Sequence, residues 1–151
     1  MPAESKSGRT GHADPHTHPQ PPELLHPAGW ARPRGYAYGV AARGRSVHVS
    51  GMIGCDGNGV LIARDFIGQV RQTLHNIVAV LAAGGARPEH IVRMTWYVID
   101  KQEYVGARKE LGAVYREVIG RHYPAMTAVQ VVGLIEEHAR VEIEVTAVVP
   151  E

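Results

Sequence analysis

The chain has 151 residues, 44% of them hydrophobic, 21% charged and 6% aromatic, with a formal net charge of +1. That length fits one domain with its own core, and the composition is too apolar for a disordered chain. Near-neutral charge argues against nucleic acid, a single cysteine excludes an internal disulfide framework, and no apolar run reaches the ~18 residues of a membrane span. The polar N-terminus has no apolar signal core, so a soluble cytoplasmic protein is expected, with neither nucleic acid nor a membrane as partner.

The first thirty residues differ from the rest. Seven of the ten prolines lie at or before Pro33, and four of the nine histidines, His12, His16, His18 and His26, share this stretch. It has little apolar surface to offset the entropy of ordering, so residues 1–23 are expected to form a disordered Pro/His-rich tail. Residues 24–151 then form the folded domain. Leu24, Leu25 and Trp30 are placed to anchor the end of the tail on the domain or on a neighbouring subunit. His12, His16 and His18 could bind a transition metal in vitro, but a flexible polar tail explains them as well.

Two strands are predicted next, Gly35 to Ala42 and Arg45 to Gly51, joined as a hairpin by Arg43-Gly44. Val47 and Val49 point to one side of the second, and Ser46, His48 and Ser50 to the other. Cys55 to Gly59 is a turn. Asp65 caps a helix in which Val70, Leu74, Ile77 and Leu81 form an apolar stripe and Gly84-Gly85 is the stop. His90 to Asp100 is a strand, with Val92, Met94, Trp96 and Val98 on one face and Ile91, Arg93, Thr95 and Tyr97 on the other. A second helix runs from Gln102 to Ile119 and ends at Gly120. Strands at Ala125 to Val132 and Arg140 to Val149 complete the chain.

The order β-β-α-β-α-β-β predicts an α+β fold, a mixed sheet with both helices on one face. The other face, with Ser50, Thr95, Tyr97, Met126, Gln130 and Glu142, is partly apolar and uncovered. Such a face predicts association with further copies of the chain.

Most motif chemistries fail. The glycines after Gly51 lead into no helix N-terminus and no Gly-Lys-Ser/Thr, so they form no phosphate loop. No Cys/His spacing matches zinc, and Cys55 has no basic partner to make it a thiolate. Ser46, His48 and Ser50 alternate along a strand at roughly 7 Å, too far apart for a direct nucleophile–base bond. Glu136-Glu137-His138 reads as a solvated connection.

Several ordered segments together resemble the Rid superfamily, also called the YjgF or L-PSP endoribonuclease family. They are Gly35-Tyr36, Val49-Ser50-Gly51, Gln69 to Ile77, Ile91-Val92-Arg93, Val98 to Asp100, Tyr123-Pro124-Ala125 and Val141 to Glu144. The resemblance covers Tyr36 to Pro150. It implies a chorismate-mutase-like fold, a homotrimer with clefts between adjacent subunits, and hydrolysis of 2-imino or enamine acids to 2-oxo acids and ammonia without metal or organic cofactor. It places Glu142 as the water-positioning carboxylate, Tyr36 as the family tyrosine and Ser50 as the strand serine.

The same resemblance expects a carboxylate-binding arginine after Pro-Ala, where this chain has Met126, and a cysteine where it has Ala128. A thioether cannot form the two charge-assisted bonds of a guanidinium. The substrate is therefore expected to be more apolar, or to be held by Arg32, Arg34 or Arg108. The substrate-binding residues then comprise Ser50, Met126, Ala128, Gln130, Trp30 and Arg34, and the catalytic pair is Glu142 and Tyr36. Each has a plain structural alternative: subunit packing for Tyr36, Ser50, Trp30 and Met126, and a solvated carboxylate or intersubunit ion pair for Glu142. Two functions follow, an imine or enamine deaminase and a non-catalytic ligand-binding or regulatory trimer. A ribonuclease would need a basic groove and a suitably spaced His pair, and the sequence has neither.

Overall fold

The computed structural model describes residues 19–151. Most of the predicted tail, including His12, His16 and His18, lies outside the described residues. Residues 19–22 have no regular secondary structure, and the first element is a short strand, β1 (Glu23–Leu25). It pairs antiparallel with β2 (Gly39–Ala41).

Four strands form the main sheet: β3 (Arg45–Met52), β4 (Ile91–Val98), β5 (Ala125–Gln130) and β6 (Val141–Val149), in the order β3-β6-β4-β5. β6 runs antiparallel to both of its neighbours, and β4 and β5 are parallel. The parallel pair needs a crossover, which the second helical segment supplies.

Helix α1 (Phe66–Ala83) starts where Asp65 accepts a bond from the backbone N–H of Gly68 at 2.7 Å. That bond satisfies one of the free donors of the first turn. Val70, Leu74, Ile77 and Leu81 are fully buried against β3 and β6, as the spacing predicts. Gly85, at φ +69°, turns the chain away after the helix. Asp65→Ala is expected to cost about 1 kcal/mol, read as a lower urea midpoint at unchanged slope.

The second predicted helix is broken. Asp100 caps α2 (Lys101–Gly106), and α3 (Arg108–Val118) restarts after Ala107 at φ −91°, ψ 8°. Gly106, with the weakest helix preference short of proline, stands at the break. Leu111, Val114 and Tyr115 of α3 join α1 over the sheet. No helix among the described residues is long and apolar enough to cross a membrane.

The predicted hairpin does not form. Ala37 instead bridges Ala125, its N–H donating to Pro124 O at 2.9 Å, so this segment is tied to the outer edge of β5 at the strand's first residue. β3 lies at the opposite edge of the sheet. Alternating side chains specify a strand but not its partner, and here the bridge forms at the edge of β5.

The faces need a second correction. Met126 pairs with Met94, and Ala128 with Trp96, so both lie on the helix-covered face. Gln130 pairs with core-facing Val98, and its Oε1 accepts from Lys101 N at 2.9 Å, so it also belongs there. Ser50, Thr95, Tyr97 and Glu142 keep the open face. A register shift between Ile91 and Arg93 lets Ile91 enter the core with Met94, although odd and even positions should alternate.

Candidate active site

A cavity of about 540 Å³ opens between β5, α3 and the edge segment 34–36. Met126 and Ala128 of β5 form one wall, and Tyr104, Tyr115 and Tyr123 another. Trp96 lies beneath, packed edge-on to Tyr104 with ring centroids 6.2 Å apart. Tyr123 stacks on Tyr115, whose hydroxyl donates to His122 O at 2.7 Å. Burial pushes the Tyr115 phenol far up, so it is a structural donor rather than an acid or base. Burial also raises the Tyr104 phenol, and the Arg108 guanidinium beside it opposes the shift.

Arg34 and Tyr36 reach this cavity because Ala37 is tied to the β5 edge. Tyr36 is 40% exposed at the mouth. A row of aromatic rings continues outward from it, Tyr36 to Tyr38 and Tyr38 to Trp30, both edge-on, at 5.8 and 5.0 Å. Trp30 is therefore part of the rim rather than the lining. Of the arginines considered as substitutes, Arg34 and Arg108 line the cavity and Arg32 does not; Arg116 does as well.

Glu142 and Ser50 lie elsewhere. Glu142 pairs with Tyr97 on β4, and Tyr97 with Val129 on β5, all on the face opposite Met126 and Ala128. The Glu142 carboxylate lies directly over Gly51, where a Cβ would collide with its Oε1. A strand glycine often marks such a close approach. Ser50 is next to it, its hydroxyl donating weakly to Met52 Sδ at 3.9 Å. Further along the same face the Tyr97 hydroxyl donates to Glu144 at 2.9 Å, which raises the phenol. One chain thus presents two groups of candidate residues on opposite faces of its sheet, and Tyr36 and Glu142 do not meet within it.

Two side chains on α1, the buried Gln69 and the half-buried Asn76, hold the loops that flank the carboxylate. Gln69 donates to Ala63 O at 3.1 Å and His138 O at 3.0 Å, and accepts from Arg140 N at 2.7 Å. Asn76 donates to Ile53 O and Cys55 O at 3.0 and 2.8 Å. Arg140 pairs with Glu103 at 2.9 Å and closes the loop before β6. The Cys55 thiol is pushed up by burial and by Glu136 and Asp56, so it stays protonated and is no nucleophile. Among the described residues no group of three His, Cys, Asp or Glu is placed to hold a metal ion.

The sequence profile of the endoribonuclease L-PSP family matches residues 31–149. The chain belongs to the Rid (YjgF, L-PSP) superfamily. A 2-iminobutanoate/2-iminopropanoate deaminase of Salmonella typhimurium is 32% identical over 116 residues, covering 75% of this chain and 86% of the relative. The human deaminase of the same name is 28% identical over 105 residues, 69% of this chain and 73% of its own. Among solved structures, the Rid-family protein YyfB of Yersinia pestis superposes with a TM-score of 0.75 at 27% identity, over 86% of this chain and 100% of that one. The YjgF gene product of E. coli gives 0.61 at 30% identity, over 75% and 87%. The expected α+β Rid fold is thus the observed one.

Of the residues expected at the site of this Rid chain, Tyr36, Arg34, Met126, Ala128 and Arg108 line the cavity, although Met126 was expected on the open face, and Ser50 and Glu142 lie on that open face. Sequence reading misses Gly51 as the seat of the carboxylate and Arg116 in the cavity. The available signals were a glycine inside an alternating strand and the spacing Arg108–Gly112–Arg116 on one helical face.

Proposed function

We propose that this chain hydrolyses a 2-imino or enamine acid to the 2-oxo acid and ammonia, in a cleft that two adjacent copies of a homotrimer build together. The observation that supports it is the division of the site. The cavity side holds Tyr36 and the arginines, the open face holds Glu142 seated on Gly51, and only a second copy brings the two opposite one another. A partly apolar, uncovered sheet face is the surface such an assembly would use. Deaminase names among the relatives support the same chemistry.

An imine carbon is already electrophilic, so the protein has mainly to place water and substrate. Glu142 accepts a proton from water as its oxygen adds to that carbon. The Tyr36 hydroxyl is positioned to hydrogen-bond the substrate. The imine nitrogen gains a proton from solvent to give the carbinolamine; Glu142 then returns its proton to that nitrogen, the C–N bond breaks, and ammonia leaves as the hydroxyl releases its proton to solvent and the carbonyl forms. The overall balance is imino acid plus water to oxo acid plus ammonia. Arg34 or Arg108 holds the substrate carboxylate in place of the residue that is Met126 here.

The test is to generate imines with an amino-acid oxidase and follow their decay with and without the protein. Acceleration is expected; none across acidic and neutral imines refutes the deaminase reading. Met126 and Ala128, at the positions of a family arginine and cysteine, favour a second reading, a ligand-binding trimer without catalysis. Met126→Arg separates them. On a catalytic scaffold it is expected to raise kcat/KM for small 2-imino acids about tenfold or more, and on an inert one it restores nothing.

A further inference from the structure

Resting on the deaminase reading, we propose that the substrate carries a second acidic group, and that Arg108 and Arg116 on α3 form its subsite. Three guanidinium groups, those of Arg34, Arg108 and Arg116, line one cavity, and no Asp or Glu lines it with them. Three other arginines among the described residues find carboxylates, Arg71 with Glu117, Arg87 with Glu89 and Arg140 with Glu103, and the remaining ones do not share a cavity as Arg34, Arg108 and Arg116 do. The three cavity arginines have no ion pair among the described residues. Clustered like charges repel one another and gain when an anion enters.

The helix is shaped for this. Arg108, Gly112 and Arg116 stand at i, i+4 and i+8, one above the other on a single face. A Cβ at Gly112 would lie 3.1 Å from Arg116 Nη1, so the guanidinium folds back over the glycine toward the N-terminal end of α3. A glycine inside a helix weakens it relative to alanine, and here its missing side chain is where Arg116 rests. The Trp96 indole Nε1, beneath the same cavity, is buried with no hydrogen-bond partner, a further donor without an acceptor.

Charge balance sets the substrate class. On the deaminase reading the neighbouring copy brings Glu142 toward the cleft, while Glu144 of the same face is engaged by the Tyr97 hydroxyl. Set against three cations, Glu142 alone leaves two, the charge of a dianion: one carboxylate beside the imine carbon and one at the far end of the side chain. The cavity volume and its tyrosine walls have room for such a chain. The cations are exposed at the cavity mouth, where solvent screens them, so a moderate preference of about 10- to 100-fold is expected.

Binding of the stable 2-oxo products to the full chain tests this apart from catalysis. By calorimetry, 2-oxoglutarate is expected to bind at least about tenfold tighter than 2-oxobutanoate. Arg116→Gln should remove that preference while changing 2-oxobutanoate binding less than about twofold. Equal affinities, or a preference that survives in both Arg116→Gln and Arg108→Gln, overturn the proposal. The former result is expected if carboxylates of a neighbouring copy already neutralise these arginines. A dicarboxylate preference in a protein that hydrolyses no imine supports the subsite and refutes the deaminase reading instead.

Discussion

Glu142→Gln is expected to slow imine hydrolysis about 10²- to 10⁴-fold, the usual contribution of a positioned general base. The amide keeps the shape over Gly51 and the position opposite Tyr97, so folding and ligand affinity should be little changed. What is lost is the ability to take a proton from water. Gly51→Ala should approach the same loss by another route. The new methyl group occupies the space of Glu142 Oε1 and forces the carboxylate from its seat. A carboxylate displaced by an ångström or more no longer points its lone pair at the same water. The pair separates charge from position: Glu142→Gln removes the base in place, and Gly51→Ala leaves the base but moves it. Steady-state rates with oxidase-generated imines read both. A Glu142→Gln variant with undiminished kcat would remove Glu142 from the mechanism.

The largest effect on stability is expected at Gln69. It is 1% exposed and its amide completes three hydrogen bonds to the backbone of residues 63, 138 and 140. Leucine fills much the same volume but leaves two carbonyls and one N–H without partners. At about 1–3 kcal/mol for each buried unsatisfied group, partial relaxation included, Gln69→Leu should cost about 3–5 kcal/mol. That is a large part of the ~5–15 kcal/mol by which most domains are stable. In a chain of this size it lowers the thermal midpoint by roughly 10 °C or more. Circular dichroism melts check it. The loop that Gln69 holds leads directly into β6 and Glu142, so activity should fall at temperatures where the variant is still folded. A midpoint within about 2 °C of the parent would show that the loop is held by other contacts, Arg140–Glu103 among them.

Much of this architecture is legible in single residues. The Val70, Leu74, Ile77, Leu81 stripe, the Asp65 cap and the Gly84-Gly85 stop define α1 because each obeys a local rule. The alternation in Val141 to Val149 marks a strand with one buried face for the same reason. Pairing is non-local and less legible. Nothing in Gly39–Ala41 says that its partner is Glu23–Leu25 rather than Arg45–Met52. The side on which a β5 residue points depends on its register with β4, which is why Met126 and Gln130 were expected on the open face and lie on the other. The candidate site divides along the same line. Residue types at quoted motif positions identify Tyr36, Ser50, Met126 and Glu142. The two glycines that make room, Gly51 for Glu142 and Gly112 for Arg116, act by an absent side chain and become visible only when the neighbour's position is known.

Subunit complementation tests the central claim, that the site is shared between copies of the chain, most directly. Glu142→Gln disables the open face of every chain, and a Tyr36→Ala/Arg108→Ala double variant disables every cavity. Each alone should be inactive as a homotrimer. Co-expressed in equal amounts, they should form mixed trimers in which one cleft in three joins an intact cavity to an intact carboxylate, about one in four over all the trimers formed. Imine hydrolysis at about a quarter of the wild-type rate is the expected result. Mixed trimers, isolated through two different tags, that stay as inactive as either parent would contradict the account.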